Sequence, residues 1–214
     1  MPGTAVSFHG VTKRLGGKPV LAEIELEIPD GRAVAVIGHN ASGKTTLLNV
    51  VSTLWAVDGG EGRVLGFDLR KQSGEIRRRT GYAAHDCHLY AELTVEENLR
   101  FFARLYDVED SSKRISEMIE WFQIGAYARS LVRELSAGYR KRVSIIKALL
   151  HQPDLLLLDE PFANLDPSAK GIVEEAVRAF TSVGTVVMTA HSLEGVPLYV
   201  KDKVFLRKGR VARQ

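Results

Sequence analysis

Three short apolar runs along the chain lack any alternation with polar residues. They cover Ala33–Ile37, Leu155–Leu158 and residues 185–189. Runs of this length without alternation predict strands that are buried on both faces, as in a parallel sheet. Residues 23–28 differ, because glutamates alternate there with Ile or Leu. That pattern predicts an antiparallel strand with one buried face.

Weaker patterns predict further strands near both ends of the chain. Apolar residues indicate a first strand over residues 5–11, and residues 204–211 indicate a hairpin. The Gly-rich residues 58–62 predict a turn, because Gly and Asp favour turn conformations.

Between about residues 93 and 150 the apolar residues recur at helical spacing, which predicts helices. Thr94 can cap the first of them, and Glu97 three residues later completes a capping box. A later helix carries on one face Ile172, Val173, Ala176, Val177 and Phe180. The pattern as a whole predicts an α/β domain with a helical insertion.

Composition limits the class of protein. A length of 214 residues and an apolar fraction of 45% suit one globular domain. No apolar run approaches the ~20 residues of a membrane-spanning helix. The single cysteine, Cys87, excludes an internal disulfide and fits a reducing compartment. The net charge of +3 is mild, so the default interpretation of the basic residues is a solvated surface. Clusters at residues 77–79 and 140–142 can favour an anionic membrane face or a nucleotide. We expect no nucleic-acid partner.

The segment from Gly38 to Thr45 fits the phosphate-loop motif G-x-x-x-x-G-K-[ST]. A buried strand is predicted before it and an apolar helix over residues 45–51 after it, which is the context the motif needs. Glycines let backbone N–H groups turn toward phosphates, and the helix N-terminus adds partial positive charge. Lys44 can reach the β- and γ-phosphates, and the Thr45 hydroxyl can ligate Mg²⁺. The predicted binding residues are Gly38, His39, Asn40, Ala41, Ser42, Gly43, Lys44, Thr45 and Thr46.

Two adjacent carboxylates, Asp159 and Glu160, follow the second buried strand. A carboxylate at a strand end beside a phosphate loop can hold Mg²⁺, and we assign that role to Asp159. Glu160 can polarise a water toward the γ-phosphate as a general base. The simpler interpretation is that two acids end a strand before Pro161. Lys44 upstream and His191 downstream favour the functional interpretation.

Residues 135–139, Leu-Ser-Ala-Gly-Tyr, precede an amphipathic helix. Ser136 can be a helix cap and no more. Alternatively, its hydroxyl, the small residues Ala137 and Gly138 and the helix N-terminus can form a second phosphate site. Taken alone, the segment does not distinguish these interpretations.

Five motifs occur in one order: the phosphate loop, residues 135–138, residues 157–161, residues 163–166 and His191. Together they resemble the nucleotide-binding subunits of ATP-binding cassette (ABC) transporters over nearly the whole chain. The resemblance implies an α/β fold of the P-loop NTPase class. It also implies a mixed parallel core sheet, an N-terminal antiparallel β subdomain and an inserted helical subdomain.

The same resemblance implies how the chain is divided. Residues 1–214 would form one nucleotide-binding domain. Its core, with the antiparallel subdomain, would comprise about 1–84 and 151–214, and about 85–150 would form the helical subdomain with the signature segment.

In this family, ATP with Mg²⁺ lies between the phosphate loop of one subunit and the Leu-Ser signature of a second. A dimer of two copies of this chain is the expected form. Ser136, Ala137 and Gly138 would then contact the γ-phosphate of the partner's nucleotide. Glu160 would polarise the attacking water, and His191 would contact the γ-phosphate.

Three positions depart from the common family pattern. Leu15 stands where an aromatic residue usually stacks on adenine, so it would bind the base by apolar contact alone. His85 replaces a glutamine, and its imidazole can bind the Mg²⁺ shell or a water with a charge that depends on pH. Tyr139 replaces the glutamine that usually closes the signature. Lys44 and Glu160 remain, so we expect hydrolysis to survive.

In its combination of His85, Ala137 and residues 159–162, the chain resembles the haem-exporter ATP-binding subunits of cytochrome c maturation. The alternative is a general ABC exporter subunit for a drug, lipid or ion. A soluble ABC ATPase that assembles or remodels a partner, and a module that binds ATP with little turnover, are further alternatives.

The leading hypothesis is an ATPase that drives export through separate integral membrane subunits. It would be a peripheral protein at the cytoplasmic face of the cell membrane. In this family the helical insertion and the loop over residues 85–90 receive the membrane subunit. His88, Leu89 and Tyr90 can make that contact, although Leu89 and Tyr90 can equally belong to the subdomain core.

Overall fold

A computed structural model describes residues 3–212 of the chain. The strands are β1 (Thr4–Leu15), β2 (Lys18–Pro29), β3 (Ala33–Ile37), β4 (Gly59–Val64), β5 (Phe67–Asp68), β6 (Thr80–Ala83), β7 (Leu155–Leu158), β8 (Thr185–Ala190), β9 (Asp202–Arg207) and β10 (Arg210–Ala212). The α-helices are α1 (Lys44–Val51), α2 (Ser73–Arg78), α3 (Val95–Leu105), α4 (Ser111–Trp121), α5 (Ala137–Leu149) and α6 (Pro167–Phe180).

The core of the molecule is a six-stranded mixed sheet with the order β10-β9-β3-β8-β7-β6. All neighbours pair in parallel except β10 and β9, which form the predicted hairpin. Val34 and Val36 of β3 belong to one apolar cluster, whereas Ala35 and Ile37 belong to another on the opposite face. Both faces are covered, which explains why these strands show no polar alternation.

A second, antiparallel sheet of four strands has the order β2-β1-β4-β5 and confirms the predicted N-terminal antiparallel sheet. In β2, Ile24, Leu26 and Ile28 are buried, and Glu25 and Glu27 are exposed, as the alternation predicts. The buried face of this sheet shares an apolar cluster with α1 and with one face of the core sheet. This packing fixes α1, and therefore the end of the loop before it.

The predicted turn over residues 58–62 is wrong, because most of these residues lie in β4, which pairs with β1. A Cβ at Gly60 would lie 2.3 Å from the backbone oxygen of Gly10, and one at Gly62 would lie 2.5 Å from Leu69 Cδ1. Glycine occurs here because β4 lies too close to its neighbours for a side chain. The sequence pattern also failed to predict α2 and β5.

Helices α3, α4 and α5 follow one another between residues 95 and 149, as predicted for the insertion. The capping box of α3 is present, since Glu97 N donates to Thr94 Oγ1 at 3.2 Å and Thr94 N donates to Glu97 Oε2 at 2.8 Å. The hydrogen bond from the Thr94 backbone lowers the pKa of the Glu97 carboxyl. Among residues 3–212, none of the helices combines the length and apolar character needed to cross a bilayer.

Candidate functional site

The loop between β3 and α1 is curled by residues in unusual backbone conformations. Ala41 has a φ of +60° and Gly43 a φ of +105°. A Cβ at Gly38 would lie 2.4 Å from the backbone oxygen of Leu206, so only glycine fits there. The loop ends at Lys44, the first residue of α1. The partially positive end of that helix therefore lies at the curl.

Two polar groups lie inside the curl. Lys44 is 5% exposed, and its Nζ donates to the backbone oxygens of Gly38 at 2.7 Å and His39 at 3.2 Å. Ser42 Oγ is buried without a hydrogen-bond partner. A buried unpaired hydroxyl is costly, and an ammonium and a hydroxyl are both groups that bind phosphate oxygens. The loop therefore fits a phosphate group.

The remaining loop residues divide by exposure. His39, Asn40 and Ala41 are exposed, whereas Thr46 is buried behind the loop in α1.

Asp159 lies at the end of β7 and is only 1% exposed. Its carboxylate accepts hydrogen bonds from Thr45 Oγ1 at 2.8 Å and from Thr189 Oγ1 at 2.6 Å. Thr45 and Asp159 therefore present adjacent oxygen atoms, the ligand type that Mg²⁺ prefers. The described residues contain no group of three or more His, Cys, Asp and Glu side chains arranged to hold a metal ion. A Mg²⁺ ion held here would take its remaining ligands from water and phosphate oxygens, as Mg²⁺ usually does in proteins.

Glu160 is held by three neighbours. Its Oε2 lies 2.8 Å from His191 Nε2, and its Oε1 lies 3.8 Å from Lys44 Nζ. Its backbone N–H donates to Thr189 Oγ1 at 2.9 Å, and its φ is +49°. A positive φ is strained for a residue with a side chain, and it persists where neighbouring contacts determine the conformation. The structure thus joins Glu160, Lys44 and His191 in one contact group beside the phosphate loop.

The segment 136–138 lies apart from that group within one chain. Ser136 caps α5, since its Oγ accepts a hydrogen bond from Tyr139 N at 3.4 Å. Ser136 and Ala137 are exposed at the start of the helix. Across the described residues, no hydrogen bond or ion pair links Ser136, Ala137 or Gly138 with the phosphate loop. The cap is therefore observed, and the N-terminus of α5 stays open to solvent.

Two predicted residues also lie outside the group. His85 is exposed in the loop after β6 and lines a cavity of about 300 Å³ with Ala137 and Arg140. Leu15 is 39% exposed at the turn between β1 and β2. Neither makes a hydrogen bond or ion pair to Asp159 or Glu160 in the described part of the chain.

Thr189 is a site residue that sequence reasoning did not select. Its hydroxyl donates to the Asp159 carboxylate and accepts from the backbone N–H of Glu160, so it orients the Asp159 side chain and the Glu160 backbone. It is 2% exposed at the end of β8. A polar residue near the end of a mostly apolar strand was the available signal, although many buried threonines have no such role.

Comparisons with known proteins agree with this geometry. The profile of the ABC transporter family matches residues 21–163. The chain is 35% identical over 197 residues to a daunorubicin resistance ATP-binding protein of Streptomyces coeruleorubidus, covering 91% of this chain and 62% of that protein. It is 32% identical to a probable multidrug ABC transporter ATP-binding protein of Escherichia coli, covering 90% of this chain and 34% of that protein. A Nod factor export ATP-binding protein of Paraburkholderia xenovorans is 31% identical over 98% of this chain and 70% of its own length. The chain thus spans from about a third to about two thirds of these relatives.

Solved structures show the same fold. The ATP-binding subunit of an ABC transporter superimposes with a TM-score of 0.89 at 28% identity, over 98% of this chain and 89% of the other. A dimeric ATP-binding cassette in a post-hydrolysis state, bound to ADP and Pi, gives 0.88 at 25% identity over 97% of both chains. The chain therefore belongs to the ABC transporter family and has the fold of its ATP-binding subunits.

Proposed function

We propose that this chain binds and hydrolyses Mg-ATP to power a transporter whose membrane-spanning part lies on other subunits. The observation that supports this proposal most directly is the contact group of Lys44, Glu160 and His191 beside a loop that fits a phosphate. Membership of the ABC transporter family supports the same conclusion.

The phosphate loop would bind the triphosphate. Its backbone N–H groups, the Lys44 ammonium and the N-terminus of α1 supply positive charge at one point. Ser42 Oγ would gain the partner that it lacks. Thr45 and Asp159 would hold Mg²⁺, which neutralises charge on the phosphates when it is bound.

Glu160 would act as the general base on the attacking water. Its side chain is mostly buried, and the Lys44 and His191 contacts fix its two oxygens. A base held in this way contributes about 10²–10⁴-fold to a rate. His191 would move from Glu160 to the γ-phosphate when nucleotide is present.

A second copy of the chain would complete the site. Ser136, Ala137 and Gly138 lie apart from the phosphate loop, yet Ser136 and Ala137 are exposed at the N-terminus of a 13-residue helix. Such a helix end binds anions. The dimeric cassette bound to ADP and Pi that resembles this chain supports a pair of copies, and we propose that the two are arranged head to tail. In that arrangement Leu15 would contact adenine, and His85 would lie close to the Mg²⁺ shell.

We keep the division of the chain into a core of about 1–84 and 151–214 and a helical subdomain of about 85–150. The membrane partner would bind at this helical subdomain. His88 and Tyr90 are exposed in the loop before α3, whereas Leu89 is partly buried against the apolar cluster. His88 and Tyr90 are therefore the better candidates for the contact. Such binding would hold the chain at the cytoplasmic face of the cell membrane as a peripheral protein.

Export is the transport direction that the relatives support, because their names refer to drug resistance and Nod factor export. We therefore favour a general exporter subunit over haem export, which rests on the resemblance at His85, Ala137 and residues 159–162. Membrane proteins of cytochrome c maturation encoded beside this chain would reverse that preference. Failure to co-purify with any integral membrane protein would favour the soluble assembly ATPase.

Replacement of Glu160 by Gln tests the proposed chemistry. We expect phosphate release from Mg-ATP to fall by about 10²-fold or more, because the base is lost while the amide keeps the shape. We also expect an ATP-bound dimer to accumulate, with doubled mass on size-exclusion chromatography, since closure does not require Glu160.

Glu120→Gln, an exposed substitution in α4, is the matched control and should leave turnover unchanged. The Lys44→Ala variant, unlike the Glu160→Gln variant, should lose the ability to bind ATP, as measured by calorimetry. Equal turnover in the unmodified protein and the Glu160→Gln variant would exclude Glu160 as the base.

A further inference from the structure

The positive charge of the chain is concentrated in one short segment, residues 63–79, between the end of β4 and the start of β6. This segment holds six basic and two acidic residues, a net charge of +4. The whole chain has a net charge of +3, so all its other residues together carry −1. The six basic side chains are exposed, and we call them the basic surface: Arg63, Arg70, Lys71, Arg77, Arg78 and Arg79.

The basic surface is built around the short strand β5. The carboxylate of Asp68 in β5 accepts hydrogen bonds from the backbone N–H groups of Arg70 and Lys71, each at 2.9 Å. These bonds fix the turn that presents the two side chains. The guanidinium of Arg79 lies 4.9 Å from the centre of the Phe67 ring, which also belongs to β5.

The remaining basic residues border the same strand. Arg63 Nη1 donates to the backbone oxygen of Gly66 at 3.1 Å, in the turn before β5. Arg77 and Arg78 lie in α2, which packs against β5 and β6. The six basic side chains therefore share one surface and are not scattered over the molecule.

Few acidic groups neutralise the basic surface. Glu75 Oε1 lies 2.8 Å from Arg78 Nη1, and Asp154 Oδ2 lies 4.0 Å from Arg79 Nη1. In the described part of the chain, the basic residues of this surface without an ion pair are Arg63, Arg70, Lys71 and Arg77. Unpaired cations on one surface attract a partner with several negative charges.

The basic surface adjoins the side of the molecule that we propose for the membrane partner. Arg77 and His88, a candidate partner contact, line the same cavity of about 200 Å³. Arg77 Nη1 also donates to Thr53 Oγ1 at 3.1 Å, beside Leu54, an apolar residue that is 53% exposed. A cationic surface with an exposed apolar residue beside it is typical of contact with a membrane interface.

Anionic lipid fits this surface better than nucleic acid does. A bilayer offers a broad layer of phosphates and requires no pocket. Single-stranded nucleic acid stacks its bases on exposed aromatic rings, whereas Phe67 is partly buried and covered by Arg79. Duplex DNA is commonly read by an α-helix in its major groove, and α2 has only six residues.

We propose that the basic surface binds the anionic phosphate headgroups of membrane lipids, so that the chain contacts the bilayer directly beside its membrane partner. The unpaired arginines and Lys71 contact the headgroups, and Leu54 contacts the boundary of the apolar layer. The proposal rests on the membrane location in the proposed function. It adds a lipid contact that does not depend on the partner subunit.

Co-sedimentation of the full chain with lipid vesicles tests the proposal. One set of vesicles is pure phosphatidylcholine, and the other contains equal parts of phosphatidylcholine and anionic phosphatidylglycerol. We expect binding to the anionic vesicles alone. That binding should be lost at about 1 M salt, where the screening length is about 3 Å.

Substitutions locate the contact on the chain. Each Lys or Arg near an anionic surface strengthens binding about fivefold. The double variant Arg70→Gln, Lys71→Gln should therefore bind about 25-fold more weakly, and Arg77→Gln about fivefold more weakly. The matched control is the double variant Arg207→Gln, Lys208→Gln. It changes another exposed, adjacent Arg-Lys pair, in the β9–β10 hairpin far from β6 in the core sheet, and should bind as the unmodified protein.

Several results would overturn the proposal. They are binding to neither set of vesicles, equal binding to both, or equal losses in the two double variants. Release of the chain from the vesicles by free glycerol phosphate would indicate a site for soluble phosphate instead. Tighter binding to a duplex DNA oligonucleotide than to the anionic vesicles would indicate a nucleic-acid surface. The assay contains no nucleotide and no partner subunit, so these results leave the proposed ATPase activity untouched.

Discussion

Lys44 and Lys147 are both buried lysines, yet their surroundings differ. Lys44 donates to two loop carbonyls and lies 3.8 Å from the Glu160 carboxylate. In the described part of the chain, the Lys147 ammonium contacts backbone carbonyls and an aromatic ring. In the proposed function, a bound phosphate would replace the contact of Lys44 with Glu160. Burial lowers the pKa of Lys147 to about 8.

His151 predicts a dependence of stability on pH. Its pKa is about 4 in the folded chain and about 6.5 when unfolded, so protonation favours the unfolded state. The stability it contributes is present above about pH 6.5 and is lost as pH falls toward 4. Between pH 8 and pH 5 this loss amounts to about 2 kcal/mol for one such group.

The measurement is urea denaturation of the unmodified protein and of His151→Phe, which keeps a flat ring against Tyr106. We expect the unmodified protein to lose about 2 kcal/mol more than the variant over this pH range. Parallel loss in both proteins would show that His151 is not the group responsible.

Strand β6 and helix α5 pack more closely than side chains usually allow. A Cβ at Gly81 in β6 would lie 2.0 Å from the backbone oxygen of Ala148 in α5. The close approach brings α5 against the core sheet, and α5 carries both the exposed 136–138 segment and Lys147. This close approach thus helps to place the N-terminus of α5, which forms one half of the proposed nucleotide site.

Substitution of Gly81 by Ala tests this contact. We expect a loss of about 1–3 kcal/mol in the free energy of unfolding, because backbone atoms must move to admit the methyl group. Gly171→Ala is the matched control, since Gly171 lies in α6 with nothing within 4 Å of its Cβ position. That change should stabilise the chain by about 0.5–1 kcal/mol, because Ala favours a helix. Thermal and urea unfolding measure both, and equal effects would contradict the close contact.

As a whole molecule, the chain would present half of the proposed nucleotide site on each of two surfaces. The phosphate loop and its carboxylates form one half. The exposed N-terminus of α5 forms the other, with no hydrogen bond or ion pair between the two in the described residues. In the proposed head-to-tail pair, a second copy would join the halves.

Ala137→Asp tests the shared site without disturbing the fold. An acidic residue at the first position of a helix stabilises it, so the variant should fold and bind one ATP. It should fail to dimerise with Mg-ATP and lose turnover, because its carboxylate repels the partner's phosphates. Ala126→Asp, an exposed change away from the helix, should behave as the unmodified protein. ATP-dependent dimerisation of Ala137→Asp in light scattering would contradict the arrangement.

The sequence alone determined features that are encoded over a few neighbouring residues. Strand β3, the alternation in β2, the capping box at Thr94 and the phosphate-loop motif all depend on local spacing, and the structure agrees with each. The sequence was also sufficient to select Glu160 as a candidate site residue, because it follows a strand whose four leucines are buried.

Only the tertiary structure decided the features that depend on residues far apart in the chain. The glycines of β4 resemble a turn until β1 is seen beside them. Thr189 joins Asp159 across 30 positions, and Lys147 donates to the backbone oxygen of Cys87 across 60. Burial and pairing of a polar group are properties of its surroundings, so the spacing of residues along the chain could not supply them.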